Sequence, residues 1–366
     1  MKILVLVQDY PSTTNKYAMS YVHTRNLEYL RKGLEVTVLS FSAKASYTYE
    51  NINVITHEAF QPSQKYDLFI SHAPNLRNHI RFLMKHKTSF AKLLMFLHGH
   101  EVLIKKDFYP PAYDYMQKGK KQISFADQMY DQIKVRVMKN FMTKLMKENK
   151  LKIIFVSEWM KEAFFQCVKA DRKLTEENSY VISNSMNSVF LTESYQPKQE
   201  LKADFITIRP LDQSKYGVDL VAKVAKAHPQ YTFHIYGKGK YFDYHEKPEN
   251  ITLINEFLTP ADFPDTLNSY RCAIMPTRLD AQGVMMCEIA TYGMPIVTSD
   301  ISICKEMLGD FDNAFFMNNE RADINLDEVF EKIDLNKLTV DPKAKFSYEE
   351  TIEKEVEVIQ SLKSSN

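Results

Sequence analysis

Short apolar runs, each followed by a turn and a stretch of helical spacing, recur along the whole chain, and this alternation narrows the fold more than any other feature. KILVLV (2–7) leads into a polar loop, DYPSTTNKY, and a helix pattern from about Ala18 to Lys32 that stops at Gly33, after which EVTVLSF resumes a strand. A β-α-β unit of this kind makes parallel strands covered by helices. Further strands are expected at INVIT (52–56), DLFIS (67–71), KLLMFL (92–97) and KIIFVS (152–157). Runs that are apolar throughout suit strands buried on both faces.

The segment LTESYQPKQELKAD is polar, weakly patterned and carries a proline, so a domain boundary is placed there. The alternation then restarts with FITIR (205–209), TFHIY (232–236), ITLI (251–254), RCAIM (271–275) and PIVTS (295–299). Helix patterns lie near 216–228, 260–269, 284–292 and 302–308. The expectation is α/β architecture with two Rossmann-like doubly wound domains, residues 1–190 and 203–344. In the tail, Ile352, Val356, Ile359 and Leu362 have helical spacing, so a helix within 345–364 needs a docking face, for which the first domain is the candidate.

With 366 residues, 45% of them hydrophobic, the chain can build two cores. No run approaches the roughly 18 to 20 apolar residues of a membrane helix, and MKILVLVQDY lacks the pattern of a signal peptide. A cytoplasmic protein is expected, at most peripheral at the inner face of the membrane. Cys167, Cys272, Cys287 and Cys304 stand singly in apolar or helical contexts, without metal or redox spacing, and read as reduced core residues.

The net charge of +1 conceals two opposite halves: residues 1–190 hold 28 Lys+Arg against 17 Asp+Glu, and residues 191–366 hold 19 against 29. The basic surplus peaks at 77–152, which includes KVRVMKNFMTKLMKENKLK (134–152). That stretch reads either as a solvated helix face or as an amphipathic surface for an anionic membrane. Nucleic acid is not among the expected partners.

In open α/β sheets, ligands bind at the carboxyl ends of the strands. FITIR ends in Arg209, and Lys215 follows just before Tyr216-Gly217 and a helix; the pair could reach one anionic group, or be two unrelated surface cations. HIYGKGKYF places Gly237 and Gly239 after a strand, where backbone amides can approach a phosphate or a base. In RLDAQGVMMCEIATYGMPIVTSD, Gly283 stands at a helix start suited to a diphosphate. Asp280 projects from the loop before it, toward sugar hydroxyls. Glu288 lies in a nearly all-apolar helix, where a carboxylate needs a partner such as a ribose, or serves the helix dipole.

These residues resemble the signature of the retaining GT-B glycosyltransferases, in particular the large family 4. The family's text is a Glu, seven residues, a Glu, then Ala-x-x-x-Gly-x-Pro; here stand Asp280, Glu288-Ile-Ala290 and Gly293-Met-Pro295. The likeness spans the chain: MKILVLVQDYP, FLHGHE, VSEWMK, VISNSMNSVF, RPLDQSKYGVDL and the later Glu306 each match a family segment. The resemblance implies a GT-B fold with a cleft between its domains, the first binding an acceptor and the second a nucleotide-sugar donor. It implies that Arg209 and Lys215 grip the donor diphosphate, that Asp280 and His98 flank the transferred sugar, and that Glu288 holds the ribose. Gly237, Gln282, Gly283 and Val284 are carried over as donor-binding positions, with Phe257 and Leu258 beside the base. The donor is a substrate, a UDP-sugar for preference; no cofactor and no metal is expected. The acceptor is a glycan or lipid-linked molecule of cell-surface polysaccharide or glycoconjugate synthesis.

Three departures stand out. The family's glycine-rich loop after the first strand is STTNKYA here, the spacing from Arg209 to Lys215 is one residue longer than usual, and Asp280 replaces a Glu. Two other readings compete. A catalytically silent GT-B partner subunit that binds a glycosylated substrate need not keep Arg209, Lys215 and Glu288 together. A nicotinamide dehydrogenase needs a glycine fingerprint in its first β-α turn, which DYPSTTNKYA lacks.

Overall fold

A computed structural model describes the chain except for residues 14, 16, 17, 118–123, 257, 323, 336, 337 and 364–366 and the side chains of 334 and 335. It divides into two compact units, one of Met1–Asp107, Phe125–Ser185 and Phe346–Asn366, the other of Phe108–Ser124 and Met186–Lys345.

The first unit is built on β1 (Lys2–Val7), β2 (Glu35–Ser40), β3 (Tyr47–Tyr49), β4 (Ile52–Thr56), β5 (Tyr66–His72), β6 (Phe90–Leu97), β7 (Leu151–Phe155) and β8 (Ser179–Val181). Among the described residues they form one sheet in the order β3-β4-β2-β1-β5-β6-β7-β8. Only β3 runs antiparallel, to β4. Strand β1 lies mid-sheet with Ile3 through Val7 fully buried, which explains its unbroken apolar text. Its helix spans Ser20–Arg31, beginning after Met19 in a left-handed conformation (φ 49°).

The chain's tail belongs to this unit. Helical turns over Glu349–Glu353 and Lys354–Ser361 place Ile352, Val356, Ile359 and Leu362 in one core cluster with Val5, Val22 and Tyr29. Beneath them the fully buried Arg25 donates to both oxygens of Glu355 from Nε (2.8 and 3.1 Å), and Tyr29 donates its hydroxyl to the same carboxylate at 2.7 Å. Arg25 Nη2 also reaches Asn184 Oδ1 at 2.8 Å.

The basic stretch 134–152 lies largely in the long helix Phe125–Lys147, and here the amphipathic reading needs correction. The apolar side that was to face lipid, Val135, Met138, Met142, Leu145 and Met146, is buried in the unit's own interior. Strand β7 and the helix Glu158–Val168 pack against this helix and occupy that face. The exposed apolar residues stand earlier: Phe125, Met129 and Ile133, spaced four apart.

The second unit carries β9 (Ala203–Ile208), β10 (Phe233–Tyr236), β11 (Ile251–Ile254), β12 (Tyr270–Ile274), β13 (Ile296–Ser299) and β14 (Ala314–Met317). Among the described residues they form a sheet in the order β11-β10-β9-β12-β13-β14, with every pairing parallel. The polar segment read as a boundary is bonded to the helix ends of this unit. Tyr195 N donates to Tyr292 O, Lys198 N to Asn268 O and Lys202 N to Ser269 O, all at 2.8 Å, and the units divide earlier, between Ser185 and Met186.

Residues 108–124 also pack in this unit, although they lie in sequence between β6 and the long helix of the first. Their hold is aromatic: the ring of Tyr115 stacks on Tyr244 at 4.5 Å and 3°, and that of Tyr113 meets Tyr241 at 4.7 Å. The four cysteines are buried and free. Among the described residues, no helix is long and apolar enough to cross a membrane.

Candidate functional site

Arg209 follows directly after β9, its N–H still bonded to Tyr236 O (3.0 Å), so the sheet fixes the start of the next loop. Its side chain is 6% exposed. Nη2 reaches Met275 O at a long 3.5 Å, and Nε has no hydrogen-bond partner among the described residues. Burial lowers the guanidinium's affinity for its proton, and the charge of Asp280 opposes that shift. A buried cation with unspent donors is costly unless an anion completes it.

Lys215 comes six residues later. Its ammonium lies 4.5 Å from the Tyr216 ring centroid and the Arg209 guanidinium 5.0 Å from it, so one aromatic ring carries both cations. Among the described residues Lys215 makes no ion pair. Its carbonyl accepts from Arg278 N (2.7 Å) and Thr277 Oγ1 (3.0 Å), which ties the loop after β9 to the loop after β12.

Gly237 plays a part different from the one read in the sequence. Its N–H is spent on Ile254 O at 3.1 Å, and a Cβ there would come within 1.9 Å of Arg209 O. The glycine therefore supports the site by letting the loop after β10 lie against the Arg209 backbone, and its amide is committed to the sheet.

In the loop after β12, Asp280 Oδ1 accepts from Ala281 N (2.8 Å) and Gln282 N (3.4 Å). Gln282 is buried, and Gly283 adopts φ 74° at the start of the helix Val284–Thr291. Val284 is that helix's first residue. Glu288, one turn further in, is 8% exposed and accepts Asn187 N at 3.1 Å. Burial pushes its carboxyl up to about 7 despite that hydrogen bond. Leu258 is buried, and Phe257 lies outside the described residues.

The second unit thus brings Arg209 and Lys215 onto one ring, puts Arg209 within electrostatic reach of Asp280, and sets Gln282, Gly283 and Val284 in one turn. Glu288 is bonded to the Asn187 amide. In the first unit, His98 follows β6; its N–H donates to the Glu101 carboxylate, and its Nε2 lies 3.3 Å from His72 Nδ1. Burial first, then the charges of Arg25 and His100, hold its pKa well below the ordinary histidine range, so the ring is neutral at pH 7.

Sequence reasoning missed Arg278, Asp219 and Asn187. Arg278 grips Asp219 with both amino groups, at 2.8 and 2.5 Å, and donates to Ser214 O at 2.7 Å. The one available signal was that Arg278 opens the RLDAQ loop. Asn187 is 101 positions from Glu288 and acts through its backbone, so no local pattern marks it.

Solved structures of the same fold span the whole chain. It resembles sucrose-phosphate synthase from Thermosynechococcus elongatus at 12% identity and TM-score 0.71, over 99% of this chain and 98% of that one. It resembles HepE from Anabaena, solved with UDP and glucose, at 14% identity and TM-score 0.64, over 100% of both chains. A glycosyltransferase from Rickettsia africae aligns at 11% identity and TM-score 0.63, over 100% of this chain and 99% of that one. No curated protein sequence matches the chain. The two parallel α/β units therefore define a GT-B fold. Residues 196–345, which hold Arg209, Lys215, Gly237, Asp280 and Glu288, match the family Glycosyl transferases group 1. That stretch of the chain is similar to the sugar-transferring domain the family describes.

Proposed function

We propose that the enzyme transfers a sugar from a nucleotide-diphosphate sugar, a UDP-sugar for preference, to a glycan or lipid-linked acceptor, with retention of anomeric configuration. The observation that carries this reading is the buried Arg209, with Nε unpartnered among the described residues, sharing the Tyr216 ring with Lys215 at the carboxyl edge of the sheet. Breaking a sugar–phosphate bond leaves negative charge on the diphosphate. Cations already held in place bind that charge more tightly in the transition state than in the ground state and so speed departure. Amides at the start of Val284–Thr291 add to the same field.

Glu288 accepts the ribose hydroxyls, Asp280 reads the transferred sugar, and the neutral His98 hydrogen-bonds that sugar. Retention follows a front-face course in which a donor phosphate oxygen takes the acceptor proton, so no protein nucleophile is assigned. That HepE was solved with UDP and glucose favours UDP over other nucleotides. The acceptor is assigned to cell-surface polysaccharide or glycoconjugate synthesis on the resemblance of the whole chain to this family.

Calorimetry against UDP, GDP and ADP tests the donor. UDP should bind at least about tenfold more tightly than the others, and Lys215→Ala should remove about 1.5 to 3 kcal/mol of that binding. Failure of all three nucleotides to bind would end the reading.

Contact with an anionic membrane is assigned to the outer face of Phe125–Lys147. Phe125, Met129 and Ile133 are exposed there, and Arg136, Lys144 and Lys147 continue the same stripe at helical spacing. Binding to vesicles containing phosphatidylglycerol should fall steeply between low and physiological salt, and Phe125→Ser with Met129→Ser should abolish it. Binding unaffected by either change would remove the membrane from the account.

A further inference from the structure

Among the described residues, the loop carrying Arg209 and Lys215 is anchored from three places: the end of β10 with the loop after it, the loop after β12, and the stretch holding Tyr113 and Tyr115. From the first, Lys238 O accepts Leu211 N (2.9 Å), and Lys240 N donates to Asp212 Oδ1 (2.7 Å). From the second, Arg278 holds Ser214 O and Asp219, and its N–H holds Lys215 O. From the third, Tyr115 donates its hydroxyl to Asp212 Oδ1 at 2.7 Å and Tyr113 donates to Asp219 Oδ1 at 2.8 Å. The two tyrosines close both carboxylates that flank the cations, three residues before Lys215 and four after it.

We propose that Tyr113 and Tyr115 are positioning residues for the donor diphosphate, bracing the Arg209–Gly217 loop through Asp212 and Asp219. The assignment rests on the reading of Arg209 and Lys215 as the diphosphate grip. The tyrosine rings are fixed independently of their hydroxyls, Tyr115 by its stack on Tyr244 and Tyr113 by its tilted contact with Tyr241, so the two O–H groups arrive already oriented. Burial and the adjacent carboxylates keep both hydroxyls protonated throughout the physiological range, so they remain donors. Without them, Asp212 keeps the Lys240 amide among its described side-chain contacts, and Asp219 keeps Arg278 and its own backbone amide.

The experiment compares UDP with UMP by calorimetry on the full chain, because only UDP presents a β-phosphate to the loop. Tyr113→Phe with Tyr115→Phe keeps the stacked rings and removes both hydroxyls. The double variant should lower the ratio of UDP to UMP affinity about tenfold, with UMP binding unchanged and the thermal transition intact. The single variant Tyr115→Phe should give about threefold and serves as the measurement if the double variant does not fold. Lys215→Ala separates the two claims. If Lys215→Ala lowers the ratio and the tyrosine variants leave it unchanged, the brace is wrong and the donor reading stands. If the tyrosine variants weaken UDP and UMP alike, the hydroxyls are general scaffold and the brace is again wrong. If Lys215→Ala leaves the ratio unchanged, the diphosphate grip itself is misplaced, and the brace falls with it.

Discussion

Replacing Glu288 with glutamine is expected to stabilise the ligand-free protein by about 3 kcal/mol at pH 8, to leave it unchanged near pH 4, and to weaken nucleotide binding. The carboxyl titrates near 4.5 in an unfolded chain and is raised to about 7 here, chiefly by burial. The folded state therefore holds a proton that the unfolded state has released. Its favourable share of stability is whole below about pH 4.5 and drains away as pH climbs to about 7, beyond which the native state carries a buried carboxylate at full cost. Glutamine removes that cost and retains an oxygen for the Asn187 amide. Denaturant titrations at pH 4, 6 and 8 follow the divergence directly. Coincident curves for the two proteins at pH 8 would show that Glu288 carries no such burden.

The ribose contact proposed for Glu288 would give that burden a use. Ribose hydroxyls donate to an ionised acceptor far better than to a protonated one, so the nucleotide should bind the ionised form and expel the proton. Affinity of the native enzyme should then rise between pH 6 and 8, while the Glu288→Gln variant binds weakly and without pH dependence. Heats of binding in buffers of different ionisation enthalpy would register the released proton. An enzyme that trades native stability for a prepared binding group follows a familiar pattern.

What could be read in advance follows from how far apart the interacting residues lie. The strand β1 announces itself because burial on both faces writes a continuous apolar run, and Arg209 and Lys215 could be placed because each directly follows a strand or precedes a helix. The three- and four-residue strands Tyr47–Tyr49, Ser179–Val181 and Ala314–Met317 are too short to display a period. The basic helix left two readings open, since a Met and Leu stripe is equally suited to lipid and to a protein interior, and it is the packing of β7, Glu158–Val168 and Arg172–Glu176 that buries this stripe. Gly237 was rightly singled out, but the pressing neighbour is Arg209 O, which the local text cannot supply. Tyr113 and Tyr115 were invisible for the same reason: their partners Tyr241 and Tyr244 stand more than a hundred positions on.

The tail offers the second large effect. Glu355→Ala should destabilise the protein by about 3 to 5 kcal/mol, because it strands the Arg25 guanidinium where neither side chain of the pair touches solvent. Asn184 and the Tyr21 carbonyl would remain as charge-neutral partners, and the Phe96 face, 5.1 Å from Cζ, cannot replace a carboxylate. The loss is one of desolvation more than of attraction. Replacing both members, Arg25→Met with Glu355→Leu, should therefore recover most of it, since apolar groups of similar volume bury without a charge to satisfy. A double variant as unstable as the single would show instead that geometry, through Tyr29 and Asn184, sets the tail's position. The arrangement also bears on His98, whose proton affinity is lowered partly by the Arg25 charge. With Glu355 gone that charge is unbalanced, so His98 should remain neutral to still lower pH, which the titration of its ring signals by NMR in the single variant would register.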